Sequence, residues 1–178
     1  MRNDRASTTK YQLAILRHAK SDWGTGLPDR ERPLNVRGLQ EAPLIGQWLR
    51  RHDWRPGRIL ASPAARVRQT LEAVFTASGG PPHPVEWRET LYLADRDHLL
   101  RTVRDTGPAV TRLMLVGHNP GLEELLVYLC ELSPELTPKG KLLTTANLAI
   151  LTFDKPWSQI KAHSGHLLAL IRPRELQE

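Results

Sequence analysis

The sequence predicts an α/β fold: a three-layer α/β/α domain built on a mostly parallel sheet with an antiparallel edge strand. Three observations predict it. Short apolar runs alternate along the chain with longer stretches of helical periodicity, the order that produces parallel strands with helices on both faces. The runs are continuously apolar rather than alternating, as in strands covered on both sides. The last two, residues 147–153 and 166–171, have no helix-length pattern between them, as expected of an antiparallel pair.

Each element has its own signal. Residues 1–10 form a polar tail, read as flexible, and residues 11–178 are read as a single domain. Residues 11–16 (YQLAIL) are the first buried strand. Asn35 is placed to cap a helix carrying Leu39, Ala42, Ile45 and Leu49 on one face, with Pro43 expected to kink it. Residues 58–61 (RILA) form the second strand, after which Val67, Leu71, Val74 and Phe75 recur at helical spacing. The SGGPPHP segment at 78–84 is a loop by composition, residues 85–93 a strand running into a loop, and residues 97–105 a short helix. Residues 113–116 (LMLV) form a further strand that ends in Gly117-His118-Asn119-Pro120-Gly121. Asn119 is expected to cap the next helix, with Pro120 at its first position, Glu123 and Glu124 in its first turn, and Leu122, Leu125, Leu126 and Leu129 as its buried stripe. Residues 133–141 are a loop rich in Pro and Lys.

Composition narrows the function. The chain has 178 residues, 40% of them apolar and 25% charged, an ordinary globular balance. No apolar run is long enough to cross a bilayer, and the N-terminus lacks the apolar core of a signal peptide. A single cysteine, Cys130, excludes an internal disulfide and any multi-cysteine metal site, so a cytoplasmic setting and no membrane partner are expected. Lys and Arg number 25 against 19 Asp and Glu, a net charge of +6 that first suggests a polyanionic partner. The tail, the arginine-rich stretch at 50–58, Arg17 and Arg66 account for that excess, leaving the rest of the chain near neutral. A nucleic-acid partner is accordingly not favoured.

Ligands of parallel sheets bind at the carboxyl ends of the strands. Arg17 and His18 follow the first run, Ser62, Pro63 and Arg66 the second, and His118 the fourth. Two arginines and two histidines without clustered carboxylates suit a phosphoryl group better than a metal, because guanidinium forks match phosphate oxygens and repel cations. A neutral imidazole among guanidinium groups retains the lone pair needed to attack phosphorus. Lys20, Ser21 and Arg32 are candidate substrate contacts, although loop polarity accounts for them equally well. The remaining histidines read as surface or loop residues, Cys130 as a buried small residue, and Trp23 as a pocket-lining residue.

Four motifs carry a resemblance: Leu16-Arg17-His18-Ala19-Lys20-Ser21, Arg32-Pro33-Leu34-Asn35 with Arg37-Gly38, Ser62-Pro63 with Arg66 and Gln69-Thr70, and Val116 through Gly121. In this order they resemble the histidine phosphatase superfamily with its phosphoglycerate mutase-like fold, and within it the SixA-type phosphohistidine phosphatases. Leu91-Tyr92-Leu93-Ala94, Thr144-Thr145-Ala146 and Ile171-Arg172-Pro173-Arg174 extend the similarity through most of the chain. The resemblance implies that His18 is the nucleophile and that Arg17, Arg66 and His118 hold the phosphoryl oxygens. It implies neither metal nor organic cofactor. Ala19 stands where glycine is common, and Asn35 where threonine is common.

A carboxylate after the third strand commonly protonates the leaving group in this superfamily. Glu89 is the candidate here, with Asp95 and Asp22 behind it. The expected activity is hydrolysis of protein phosphohistidine. A phosphomonoesterase acting on a small phosphorylated metabolite is the alternative, and a non-catalytic module binding phosphoprotein or nucleic acid a weaker one.

Overall fold

A computed structural model describes residues 10–131 and 140–176. Nearly all of the expected tail and most of the 133–141 loop lie outside the described residues. Six strands form one sheet in the order β3-β2-β4-β1-β5-β6, with β1 at Tyr11–Arg17, β2 at Arg58–Ala61, β3 at Val85–Trp87, β4 at Arg112–Gly117, β5 at Leu148–Phe153 and β6 at His166–Ile171. The first four pair in parallel. β5 runs against both β1 and β6, so the reversed strand lies one position in from the edge.

The pleat sorts β1 onto two cores. Leu13 and Ile15 pack with Leu60, Leu113 and Leu115 beneath α3 (Arg96–Arg104) and α4 (Gly121–Leu129). Ala14 and Leu16 pack with Ile59, Ala61, Met114 and Val116 beneath α1 (Val36–Arg51) and α2 (Ala65–Ser78). Trp157 closes the first core, its ring edge-on to Tyr11 and its indole N–H donating to the Val110 carbonyl at 2.6 Å.

Asn35 caps α1 as its sequence context requires, its Oδ1 accepting from Gly38 N at 2.9 Å. The helix runs unbroken through Pro43, because one missing N–H removes a single hydrogen bond while Ala42, Ile45 and Leu49 are buried along the helix. Leu39 does not share that face and is 52% exposed. The rotation is dictated by Gly46, where a Cβ would come within 2.0 Å of the Val74 carbonyl, so α1 must turn this position toward α2. α4 also starts differently from the expected pattern. It begins at Gly121, and Asn119 does not cap it. The Asn119 amide donates instead to the Leu143 carbonyl at 2.9 Å, an acceptor brought alongside by the segment leading into β5.

Candidate active site

β1 and β4 are adjacent and parallel, but α1 leaves β1 toward one face of the sheet and α4 leaves β4 toward the other. Their carboxyl ends therefore open a crevice where a ligand can reach both strand ends. His18 and His118 stand there, with ring centroids 5.3 Å apart. His18 N donates to the Gly117 carbonyl at 3.1 Å, which ties the end of β1 to β4. On its other side the Arg17 and His18 carbonyls both accept from Ala146 N. Ala19 is fully buried, and its N–H donates to Thr70 Oγ1 at 2.9 Å, docking the turn onto α2.

The hydrogen bonds define both imidazole tautomers. A carbonyl only accepts, so His18 Nδ1 carries the proton and donates to Ala19 O at 2.7 Å. That leaves the Nε2 lone pair facing Arg66, whose Nε lies 3.4 Å away. A guanidinium only donates, so His118 Nδ1 accepts from Arg66 Nη2 at 3.3 Å, and His118 Nε2–H donates to Ser62 Oγ at 2.7 Å. Burial is the main force lowering the His18 pKa to about 3, with His118, Arg66 and Arg17 adding to it against the opposing Ala19 hydrogen bond. Burial likewise lowers His118 to about 4, helped first by Arg66 and opposed by Asp29. Both rings are neutral at pH 7.

Arg66 occupies the second position of α2 and is almost wholly buried. Its Nη1 donates to the Asp29 carbonyl at 2.6 Å and its Nη2 to Asp29 Oδ2 at 3.0 Å. Asp29 also accepts from Arg32 and from the Tyr92 hydroxyl, and these donors hold its pKa well below the carboxylate range. The Tyr92 ring in turn stands edge-on to His118 at 5.5 Å. Asp29 and Tyr92 were not singled out from the sequence as site residues. The Asp29/Arg32 spacing of three is a pairing signal, but the contact with Arg66 spans 37 positions.

Arg17, His18, Arg66 and His118 are brought together as their strand-end positions suggest. Arg17 donates through Nη1 to Leu143 O at 2.9 Å, while its buried Nε has no hydrogen-bond partner. Ser21 and Arg32 are joined at 2.6 Å, and the Arg32 guanidinium stacks 3.7 Å from the exposed Trp23 ring centroid. Lys20 lies on a neighbouring cleft with Arg17. Glu89 is exposed and its carboxylate is bound by Arg30. Asp95 caps α3, and Asp22 accepts from Gly24 N. Among the described residues no group of three or more His, Cys, Asp or Glu is arranged to hold a metal ion. None of the described helices is long and apolar enough to cross a membrane.

Comparison with known proteins meets this geometry. The model of the histidine phosphatase superfamily (branch 1) matches residues 13–98, which include Arg17, His18 and Arg66. An uncharacterized protein of Mycobacterium tuberculosis is 32% identical over 163 residues, covering 89% of this chain and all of that protein. The chain belongs to the histidine phosphatase superfamily. Phosphohistidine phosphatase SixA of Escherichia coli is 28% identical over 145 residues, covering 81% of this histidine phosphatase and 86% of SixA. A structure of the protein histidine phosphatase SixA complexed with tungstate superposes with a TM-score of 0.76 at 26% identity, covering 93% of this chain and 99% of that one. This member of the superfamily is a phosphatase with a mostly parallel six-stranded α/β fold.

Proposed function

We propose that this histidine phosphatase removes the phosphoryl group from a protein phosphohistidine through a covalent intermediate on His18. With the substrate imidazole protonated on its other ring nitrogen, the Nε2 lone pair attacks phosphorus as the P–N bond breaks, and the substrate histidine departs as a neutral imidazole. Water then attacks the phosphorylated His18, releasing phosphate and restoring Nε2. Arg17, Arg66 and His118 surround the transferring oxygens and stabilise their charge, which is most of what phosphoryl transfer demands. Arg32, steadied by Ser21, holds Asp29, and Lys20 meets the substrate beyond Arg17.

One observation carries the choice of substrate: among the described residues, the two carboxylates placed to face a leaving group, Asp29 and Glu89, are both held by cations. Asp29 is held ionised by its donors, and Glu89 is bound by Arg30. An imidazole, with a conjugate-acid pKa of about 6.5, leaves without strong acid assistance, whereas an alkoxide does not. The likeness to SixA supports the same substrate class, and the tungstate in its structure suits a site for tetrahedral oxyanions. The Arg30–Glu89 ion pair is solvent-exposed and therefore weak, so Glu89 can be freed to act on esters; this is the second reading.

Rapid quench with labelled phosphohistidine protein is expected to trap an acid-labile phosphoryl group on His18, and His18→Ala to abolish both adduct and turnover. Turnover of the substrate without an adduct would overturn the covalent route. Glu89→Gln is expected to leave phosphohistidine hydrolysis within about twofold and to slow phosphate-ester hydrolysis by tenfold or more. Equal loss on both substrates would make Glu89 the general acid for each.

A further inference from the structure

Glu123 is the third residue of α4, where a negative charge suits the positive end of the helix dipole. Its carboxylate also has a specific partner outside the helix. Oε2 accepts from the backbone N–H of Leu143 at 2.8 Å and, more distantly, from the Asn119 amide at 3.4 Å. Leu143 is fully buried and lies outside every described helix and strand, so its backbone groups need partners that no ladder supplies. Side chains supply them. Glu123 takes the N–H, while Arg17 Nη1 and the Asn119 amide, each at 2.9 Å, donate to the carbonyl.

The stretch that begins at Leu143 grips Arg17 at three points. Arg17 N donates to the Asn147 carbonyl at 3.1 Å, the Arg17 carbonyl accepts from Ala146 N at 3.2 Å, and the guanidinium reaches Leu143 O. Residues 144–147 form a turn closed by Asn147 N donating to the Thr144 carbonyl and by the Thr144 hydroxyl donating to Asn147 Oδ1. β5 follows at once and pairs with β1, which fixes the far end of this turn. At the near end, Glu123 holds Leu143. A planar guanidinium fixed at Nη1 presents its remaining N–H groups in one direction, and such positioning is a large part of what a phosphoryl-transfer site supplies. The charge of Glu123 also offsets part of what burial costs the Arg17 cation.

We propose that Glu123 is a positioning residue for Arg17: by holding Leu143 it fixes the carbonyl that anchors the guanidinium, and so aims Arg17 at the transferring phosphoryl group. The proposal rests on the reading that Arg17 binds that group. Glu124, next in sequence and exposed, stands in the same first turn of α4 and shares its dipole role, so it serves as the control for charge at the helix end.

The test measures kcat/KM on a phosphohistidine protein and, by calorimetry, affinity for tungstate as a tetrahedral oxyanion. Glu123→Ala is expected to lower both about tenfold and Glu124→Ala to change neither by more than about twofold. Glu123→Gln keeps an acceptor for Leu143 N and is expected to retain most of both values. Glu123→Asp keeps the charge but falls one methylene short; it is expected to follow Glu123→Ala, and gives the same reading if the alanine variant does not fold. In an Arg17→Ala background, removing Glu123 is expected to cost less than about twofold more, because the carboxylate acts through Arg17. An equal loss in both backgrounds, as a general effect on folding would give, would overturn the proposal. A Glu123→Ala protein matching wild type, or a Glu123→Gln loss as large as that of Glu123→Ala, would overturn it too. Arg17→Ala that leaves both measurements unchanged would instead overturn the reading of Arg17 itself.

Discussion

The two flanks of the proposed phosphoryl site arrange positive charge differently. On the β2/α2 side Arg66 and Arg32 both pair with one carboxylate, Asp29, which the Tyr92 hydroxyl also holds. On the β5/β6 side the ion pairs among the described residues line an open cleft, where Arg37 and Arg174 share Glu41 and Arg172 meets Glu175. Paired cations on the first flank are held in place, with the guanidinium of Arg66 spanning Nε2 of His18 and Nδ1 of His118. Each pair on the second flank has one exposed partner and is weak, so these pairs fix no side chain against His18 or His118.

The sharpest way to break this contrast is at Arg66. Arg66→Lys keeps the charge but loses the fork that reaches both histidines, so kcat is expected to fall about 100-fold or more. A loss below about fivefold would show that charge alone suffices on the paired flank. Asp29→Asn removes the counter-charge while keeping the shape. The expected outcome is a roughly tenfold fall in kcat/KM, with Tyr92→Phe adding little in the double variant because both act on one network. Fully additive losses would separate Tyr92 from that network.

Acid stability probes the buried imidazoles. Both pKa values lie below the unfolded value of about 6.5, so the unfolded chain binds more protons than the folded one as pH falls from 6.5 toward 4. Stability present above pH 6.5 is therefore lost through that window, by on the order of 3 kcal/mol for His18 at pH 4. Thermal melts at pH 7 and pH 4 should differ by roughly 5–10 °C more in the wild type than in His18→Gln. Identical pH slopes would mean that His18 is not held neutral. The same low pKa predicts that kcat/KM keeps its unprotonated nucleophile well below pH 6.

How legible was all this in the sequence? Strands at 11–17, 58–61 and 112–117 were readable because a strand buried on both faces is apolar throughout. The Asn35 cap was readable because capping is local chemistry. Leu39 was misplaced because helix rotation is settled by the crossing at Gly46, not by spacing along α1 alone. Asn119 was misplaced because its better partner, the Leu143 carbonyl, arrives from a distant segment. Asp29 has no local signal of its place beside Arg66 and Tyr92, because those contacts span 37 and 63 positions.

The net charge shows the same division most clearly. A sum along the chain located the excess in the tail, residues 50–58, Arg17 and Arg66, and left the remainder near neutral. That sum was correct but says nothing of which charges meet, as Arg66 and Asp29 do at 3.0 Å across 37 positions. By itself the sequence determined the layer order, the motif residues at three strand ends and the chemistry those residue types can perform, because each follows from local pattern and side-chain identity. Tertiary structure alone decided which tautomer each histidine holds and which carboxylate faces Arg66. Those properties depend on distances between residues far apart in the chain, and Coulomb energy and hydrogen bonding respond to distance in space, not to position in sequence.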